Sequence, residues 1–258
     1  MHGAIIGGTG FDRQLGARLL QEVVVTPYGV VPLYRGQGEL AELIFLPRHG
    51  TNHTVPPHRI NYRANLKALA QLGVERVLAT FAVGSLHTGI PPGALVVLDQ
   101  FIDFTQGRAG TFFDGGDSGL VHTEMTNPYC PALRAQLLAL AAEHGLELVS
   151  QGTYVCTDGP RFETAAEVRM YAQLGGDVVG MTGVPEASLA RELGLHYAAV
   201  ALSINWGAGL EEKLEIVRGL EATERALLAL FSAVLHQSPL PVKCNCKMAA
   251  HVIHPPVT

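Results

Sequence analysis

The stretch from Gly152 to Asn205 constrains this chain most. Two β-like runs, Val149–Cys156 and Tyr197–Asn205, bracket helical patterns and motif-bearing turns. Alternation of short apolar strands with helical periods predicts an α/β unit. Gly159-Pro160-Arg161-Phe162-Glu163-Thr164 reads as a strand-to-helix turn that presents an aromatic face, a cation and a carboxylate together. Asp177-Val178-Val179-Gly180 reads as a short buried strand. It leads through Met181-Thr182-Gly183-Val184 to Pro185, a residue suited to the first position of a helix. Asn205 stands at the exit of the most apolar strand, where an uncharged amide offers a donor and an acceptor at once. Sites in α/β proteins lie at the C-terminal ends of strands. The stretch therefore predicts the floor of a pocket for a planar polar ligand.

The other segments fit the same architecture. Ala4-Ile5-Ile6 is a strand followed by Gly7-Gly8-Thr9-Gly10, whose backbone N–H groups and hydroxyl suit an anion. A dinucleotide fingerprint competes there, but its third glycine is missing, since Phe11-Asp12-Arg13 follows. Residues 22–36 and 43–47 alternate like antiparallel strands around a Pro27-Tyr28-Gly29 turn. Arg48 and His49 follow directly, with Gly50 behind them. They read as an oxyanion clamp, because arginine offers forked donors, or as a solvated loop. Helices are predicted over Ile60–Gly73, Pro131–Gly145, Ala187–Leu193 and Leu220–Leu235. Val77–Ala82 reads as a buried strand running into a Val83-Gly84-Ser85-Leu86 turn. Residues 106–129 form a long glycine-rich loop containing His122, of a length that is usually functional or interfacial.

The bulk numbers exclude several classes. With 258 residues, 48% of them hydrophobic, the chain is long enough for one α/β domain, expected over 1–237, with a loosely packed tail over 238–258. A net charge of -5 leaves no basic footprint for nucleic acid. No apolar run approaches the roughly 18 residues of a membrane span, and no signal peptide is visible, so the expected setting is cytoplasmic. Of the four cysteines, Cys130 and Cys156 read as isolated and partly buried. Cys244-Asn245-Cys246 lies between Lys243 and Lys247, which favours thiolates. That pair lacks the second ligand pair of a zinc site, although His251 and His254 follow, so a redox or disulfide role competes with a frayed tail. No metal is expected.

Taken in order, the motifs carry a resemblance. Ile5-Ile6-Gly7-Gly8-Thr9-Gly10, Pro47-Arg48-His49-Gly50, Ile60-Asn61-Tyr62-Arg63-Ala64-Asn65-Leu66, Ala82-Val83-Gly84-Ser85-Leu86 and Asp99-Gln100-Phe101-Ile102-Asp103 precede the two motifs of the central stretch. Over residues 3–235 the chain resembles the trimeric purine nucleoside phosphorylases, in the branch that includes methylthioadenosine and methylthioinosine phosphorylases. The resemblance implies a single α/β domain with a mixed central sheet flanked by helices. It also implies that inorganic phosphate, a co-substrate rather than a cofactor, attacks the ribosyl C1′ and releases a purine. By the same resemblance Thr9, Arg48, His49, the Ala82 backbone and Thr182 would hold phosphate, Met181 the ribose, and Phe162 would stack on the base. His122, and in a similar part His53, would reach a neighbouring subunit's site in a homotrimer, with a hexamer as the larger alternative.

Three positions discriminate within that family. Adenosine-type relatives read the base with a serine after Pro-Arg-Phe and two aspartates late in the chain; here Glu163, Asn205 and Gly207 stand instead. A carboxylate accepts from the N1–H that 6-oxopurines carry, and an amide can bridge N7 and O6. Glu163 and Asn205 thus predict hypoxanthine or guanine as the base. Leu210, Leu214, Ile216 and Val217 occupy the segment where relatives place a histidine for the 5′-hydroxyl, which brings 5′-methylthioinosine into play. The rival readings are a methylthioadenosine phosphorylase and a catalytically weakened nucleoside-binding protein. The second is prompted by Phe81, where the family has threonine or asparagine. Its ring is expected to point into the core, leaving the backbone to bind phosphate.

Overall fold

The computed structural model describes residues 2–8, 19–237, 240 and 242–254. Thr9, the hydroxyl of the predicted anion turn, lies outside them. The chain opens with β1 (His2–Gly7) and a hairpin of β2 (Leu19–Thr26) and β3 (Gly29–Gly36), followed by β4 (Leu43–Pro47). Helix α1 (Tyr62–Gln71) is capped by the Asn61 side chain, which accepts from the Ala64 N–H, and leads into the long β5 (Val74–Ser85). Then come β6 (Leu95–Val97), β7 (Gln100–Asp103), β8 (Leu120–Thr123), α2 (Pro131–Leu140), β9 (Leu148–Val149) and β10 (Thr153–Cys156). The central stretch continues with α3 (Ala165–Gln173), β11 (Val178–Gly180), α4 (Glu186–Glu192) and β12 (His196–Trp206). Helix α5 (Glu221–His236) and β13 (Ala250–His254) complete the order.

Among the described residues, eleven strands form one mixed sheet and β8 with β13 forms a second, two-stranded one. β5 is the spine: β1 and β12 flank it in parallel, and β11 pairs antiparallel with its last residues. The sequence Tyr197–Leu202 is apolar at every position because both faces of β12 are covered. Tyr197, Ala199 and Ala201 pack into the cluster that also holds buried residues of α1 and α4. Ala198, Val200 and Leu202 enter the opposite cluster with residues of α2 and α5. Burying one such Val or Leu contributes about 1.5–3 kcal/mol, so this two-sided core fixes β12 and the residues at its ends.

Three sequence expectations are corrected here. The predicted Val83-Gly84-Ser85 turn is strand, because β11 and β12 pair with it from either side. The run Val149–Cys156 is two strands: β9 joins β6, whereas β10 lies between β7 and β11. The tail is packed, not loose, where it is described. Cys246 and Ala249 are buried, and β13 pairs with β8, setting His251 opposite His122. No helix among the described residues is long and apolar enough to cross a membrane.

Candidate active site

A cavity of about 530 Å³ opens where β4, β5, β11 and β12 end. That volume lies within the range of small-molecule sites. Arg48, His49, Ala82, Phe162, Glu163, Met181, Thr182 and Asn205, singled out from the sequence, all line it. His122 does not; it is exposed on β8. Arg161 also turns away and pairs with Glu167 at 2.7 Å, where Thr164 and Glu167 form a capping box at the start of α3. The cation predicted beside Phe162 is thus spent on the helix terminus.

The anion end is built on a buried ion pair. The Arg48 Nε and Nη2 donate to the two carboxylate oxygens of Glu186 at 2.6 and 2.9 Å, and Nη1 donates to the Thr80 carbonyl at 3.0 Å. Tyr197 adds its hydroxyl to Glu186 at 2.7 Å. Burial disfavours the Arg48 charge, but the attraction and hydrogen bonds of Glu186 outweigh it and hold Arg48 above the usual arginine range. A guanidinium has five N–H groups, so two remain for a ligand. No sequence signal ties Glu186 to a residue 138 positions away.

His49 sits beside this pair. Its Nδ1 donates to the Val55 carbonyl at 2.8 Å, which leaves the Nε2 lone pair free. Burial pulls its pKa down to about 4; the Val55 carbonyl opposes this, and Arg48 and His53 reinforce it. The His53 ring lies 4.4 Å from it, on a backbone with φ of 53°. Phe81 is buried beneath the Arg48 guanidinium, 4.5 Å from its ring centroid, and packs on Tyr154. The next residue, Ala82, is exposed at the cavity wall, because successive residues of a strand point oppositely.

The planar-ligand end is set by three elements. Phe162 presents its ring, 52% exposed, so its face is available for stacking. The Glu163 carboxylate is fixed by the Thr157 hydroxyl, which donates to Oε1 at 2.8 Å. Asn205 is buried at a register shift between β12 and β5, an irregularity that re-aims a side chain. Its Nδ2 donates one hydrogen to the Trp206 carbonyl at 2.7 Å, leaving a second for an acceptor in the cavity. Gly207 beside it admits no side chain: a Cβ would come within 2.7 Å of the Ser85 carbonyl oxygen.

Two positioning residues escaped sequence reasoning. The Tyr154 hydroxyl accepts from the backbone N–H groups of Thr182 and Gly183, at 3.1 and 3.3 Å. Arg108, from the long loop, donates to the carbonyls of Thr157, Asp158, Met181 and Val184 and to the Asp158 carboxylate. It ties together the two turns that carry Glu163 and Met181. Of the apolar late residues, Leu214 lines the cavity, while Ile216 and Val217 line an adjoining one of about 320 Å³. Leu210 lines neither. Away from this site, the Cys130 thiol is not isolated: it meets Cys244, Cys246 and His196.

An α/β enzyme with a nucleoside-sized cavity and a donor-rich anion end is the class these elements define. Residues 3–236 match the model of the phosphorylase superfamily. The chain is 50% identical over 251 residues to a probable 6-oxopurine nucleoside phosphorylase of Dictyoglomus turgidum, covering 95% of each chain. It is 47% identical over 255 residues to the 6-oxopurine nucleoside phosphorylase of Pyrococcus furiosus, covering 95% of this chain and 96% of that one. Among solved structures, a double mutant of the adenosine/methylthioadenosine phosphorylase of Schistosoma mansoni with adenine superposes with a TM-score of 0.85. It is 34% identical, over 92% of this chain and 93% of that one. The chain belongs to the phosphorylase superfamily and is a nucleoside phosphorylase of the purine nucleoside and methylthioadenosine phosphorylase group.

Proposed function

We propose that the protein splits 6-oxopurine nucleosides with inorganic phosphate, giving hypoxanthine or guanine and a ribose 1-phosphate. The observation that carries this is the pairing of an anchored carboxylate, Glu163, with an anchored amide, Asn205, on one cavity wall. Glu163 accepts from N1–H, and the spare Asn205 hydrogen meets the N7 and O6 edge on which negative charge gathers as the base leaves. Phe162 stacks on the base, and Met181 packs on the ribose.

Phosphate is held by Arg48, His49, Thr182 and the backbone at Ala82, together with Thr9, which follows β1 in the sequence. Because Glu186 already balances the Arg48 charge, the guanidinium acts as a fixed pair of donors rather than as a bare cation. Preorganised donors of this kind stabilise the phosphate against an oxocarbenium-like sugar without reorganising water. The neutral His49 Nε2 accepts the hydrogen of a monoprotonated phosphate. The active unit in this reading is a homotrimer, with His122 on the exposed β8–β13 arm offered to a neighbour's cavity. Light scattering of the purified protein tests that assembly and separates a trimer from a hexamer.

Phosphate-dependent base release from inosine, guanosine, 5′-methylthioinosine, 5′-methylthioadenosine and adenosine tests the substrate reading. Hypoxanthine or guanine release with inert adenine nucleosides is expected; preferred adenine release overturns the base assignment. Leu214 on the cavity wall favours 5′-methylthioinosine as a second substrate, since an apolar 5′ pocket discriminates by about 1–3 kcal/mol.

A further inference from the structure

Four metal-ligating side chains from three distant parts of the chain meet on the far side of the molecule's core. They are Cys130 before α2, His196 at the start of β12, and Cys244 and Cys246 in the tail. Their donor atoms all lie within 4.8 Å of one another. The His196 Nδ1 is 3.6 Å from the Cys130 Sγ and 3.2 Å from the Cys244 Sγ. A tetrahedral zinc with Zn–S near 2.3 Å and Zn–N near 2.0 Å has donor-to-donor edges of about 3.5–3.8 Å. The Cys-x-Cys pair has found its second ligand pair in space, and neither partner is one of the tail histidines. His251 and His254 lie exposed in β13.

We propose that Cys130, Cys244, Cys246 and the His196 Nδ1 form a structural zinc site. Three thiols lose their protons to solvent and the imidazole stays neutral with its hydrogen on Nε2, so Zn²⁺ closes a four-coordinate shell with no water. Three sulfurs and one nitrogen in a closed tetrahedron select zinc over the oxygen-seeking magnesium and calcium. The surroundings suit thiolates. Cys130 precedes the first turn of α2, where the helix dipole favours negative charge. The buried Arg191 donates to the Cys246 Sγ at 3.5 Å and to the Asn245 Oδ1 at 2.9 Å, holding the intervening residue of the Cys-x-Cys turn. The same guanidinium pairs with Glu124, directly after β8.

The backbone prepares the site without the metal. The Cys130 N–H donates to the Tyr197 carbonyl at 2.6 Å, which places Cys130 beside His196. At Gly194 (φ +69°) a Cβ would lie 3.4 Å from the Lys247 Cα, so the tail main chain crosses close over the turn before β12. Zinc would rivet the tail to α2 and β12, and with it β13 to β8, the arm that carries His122.

The test is elemental analysis of tag-free full-length protein, purified with a thiol reductant and desalted after equilibration with zinc. One zinc per chain is expected, falling to background in Cys246→Ser and in His196→Ala. Because losing a buried ligand can also unfold the tail, His196→Cys is made alongside: it keeps four donors and retains the zinc. Cobalt(II) in place of zinc gives the intense visible bands of a tetrahedral thiolate site in the wild type and in His196→Cys, and loses them in His196→Ala. Chelation of the metal lowers the melting temperature of the wild type and not that of Cys246→Ser. The proposal is overturned if the wild type retains no zinc, or if His196→Ala and Cys246→Ser hold as much as the wild type. Finding Cys130, Cys244 or Cys246 in disulfides in the freshly isolated, unreduced protein overturns it equally.

Discussion

The two ends of β12 do opposite kinds of work. At one end Asn205 sits at a register shift and turns a buried amide toward a cavity; at the other, His196 enters a knot of thiols. Both ends are held by the same two-sided apolar core, and both use residues brought in from far along the chain. The cavity end keeps hydrogen-bonding groups unspent: two N–H groups of Arg48 and one hydrogen of Asn205 as donors, and the lone pair of His49 as an acceptor. The thiol end turns its donor atoms toward one another. Unspent hydrogen-bonding groups inside a partly enclosed site are open to a ligand, whereas converging sulfur and imidazole lone pairs are the arrangement a soft metal ion requires.

The largest expected effect comes from breaking the ion pair behind the cavity. Glu186→Ala leaves the Arg48 charge buried without its partner and should cost about 3–5 kcal/mol in urea unfolding. Phosphate should restore part of that loss, because it offers a second anion to the same guanidinium. A variant as stable as the parent would mean that Glu186 is not what holds Arg48.

Next come the groups proposed to read the base. Glu163→Gln and Asn205→Ala should each lower kcat/KM for inosine by about 10²–10³, the loss seen when one group that stabilises developing charge is removed. Asn205→Asp should move preference toward adenine nucleosides without reaching an adenosine-type enzyme. The missing second aspartate cannot be supplied at Gly207, where the Ser85 carbonyl and Val168 leave no space. Selectivity measured across the five nucleosides decides this, and a complete switch in Asn205→Asp alone would refute the steric argument.

A smaller effect should appear as a pH dependence. The folded protein holds His49 at about 4, below its usual 6.5. The unfolded chain therefore takes up a proton that the native state refuses, and His49 contributes stability above pH 6.5 that is lost as pH falls toward 4. The slope of melting temperature against pH in that window should flatten in His49→Gln and in the presence of phosphate, whose charge raises the histidine. Smallest of all is Lys247→Ala, which removes an exposed pair with Glu75 beside the thiol knot. It should change stability by no more than about 1 kcal/mol, and elemental analysis should find the metal content unaltered.

The comparison also separates what a chain displays from what it conceals. That Arg48, His49, Phe162, Glu163, Met181, Thr182 and Asn205 line one cavity was legible because each lies in or beside a turn at a strand end, and a strand end is marked by local sequence. Their structural supports were not. Glu186 stabilises Arg48, Tyr154 orients the Thr182 turn, and Arg108 joins two turns, each across a sequence distance that no local pattern spans. The thiol knot failed for the same reason. Cys244 and Cys246 announced half a ligand set, and the other half came from the start of α2 and the start of β12.

By itself the sequence determined the alternation of strands and helices, the apolar β12, the turns that carry cavity-lining side chains, and the family. Those properties depend on neighbours within a few residues, where side-chain period and turn chemistry act. The tertiary structure alone decided that Val149–Cys156 divides between two sheet positions and that Arg161 pairs with Glu167 instead of facing the cavity. It also decided that Leu214 lines the cavity while Leu210 does not, and that the tail is packed. These outcomes turn on which surfaces meet when the sheet is closed from both faces. Burial of apolar area decides such meetings, and it is a property of the assembled core rather than of any one segment.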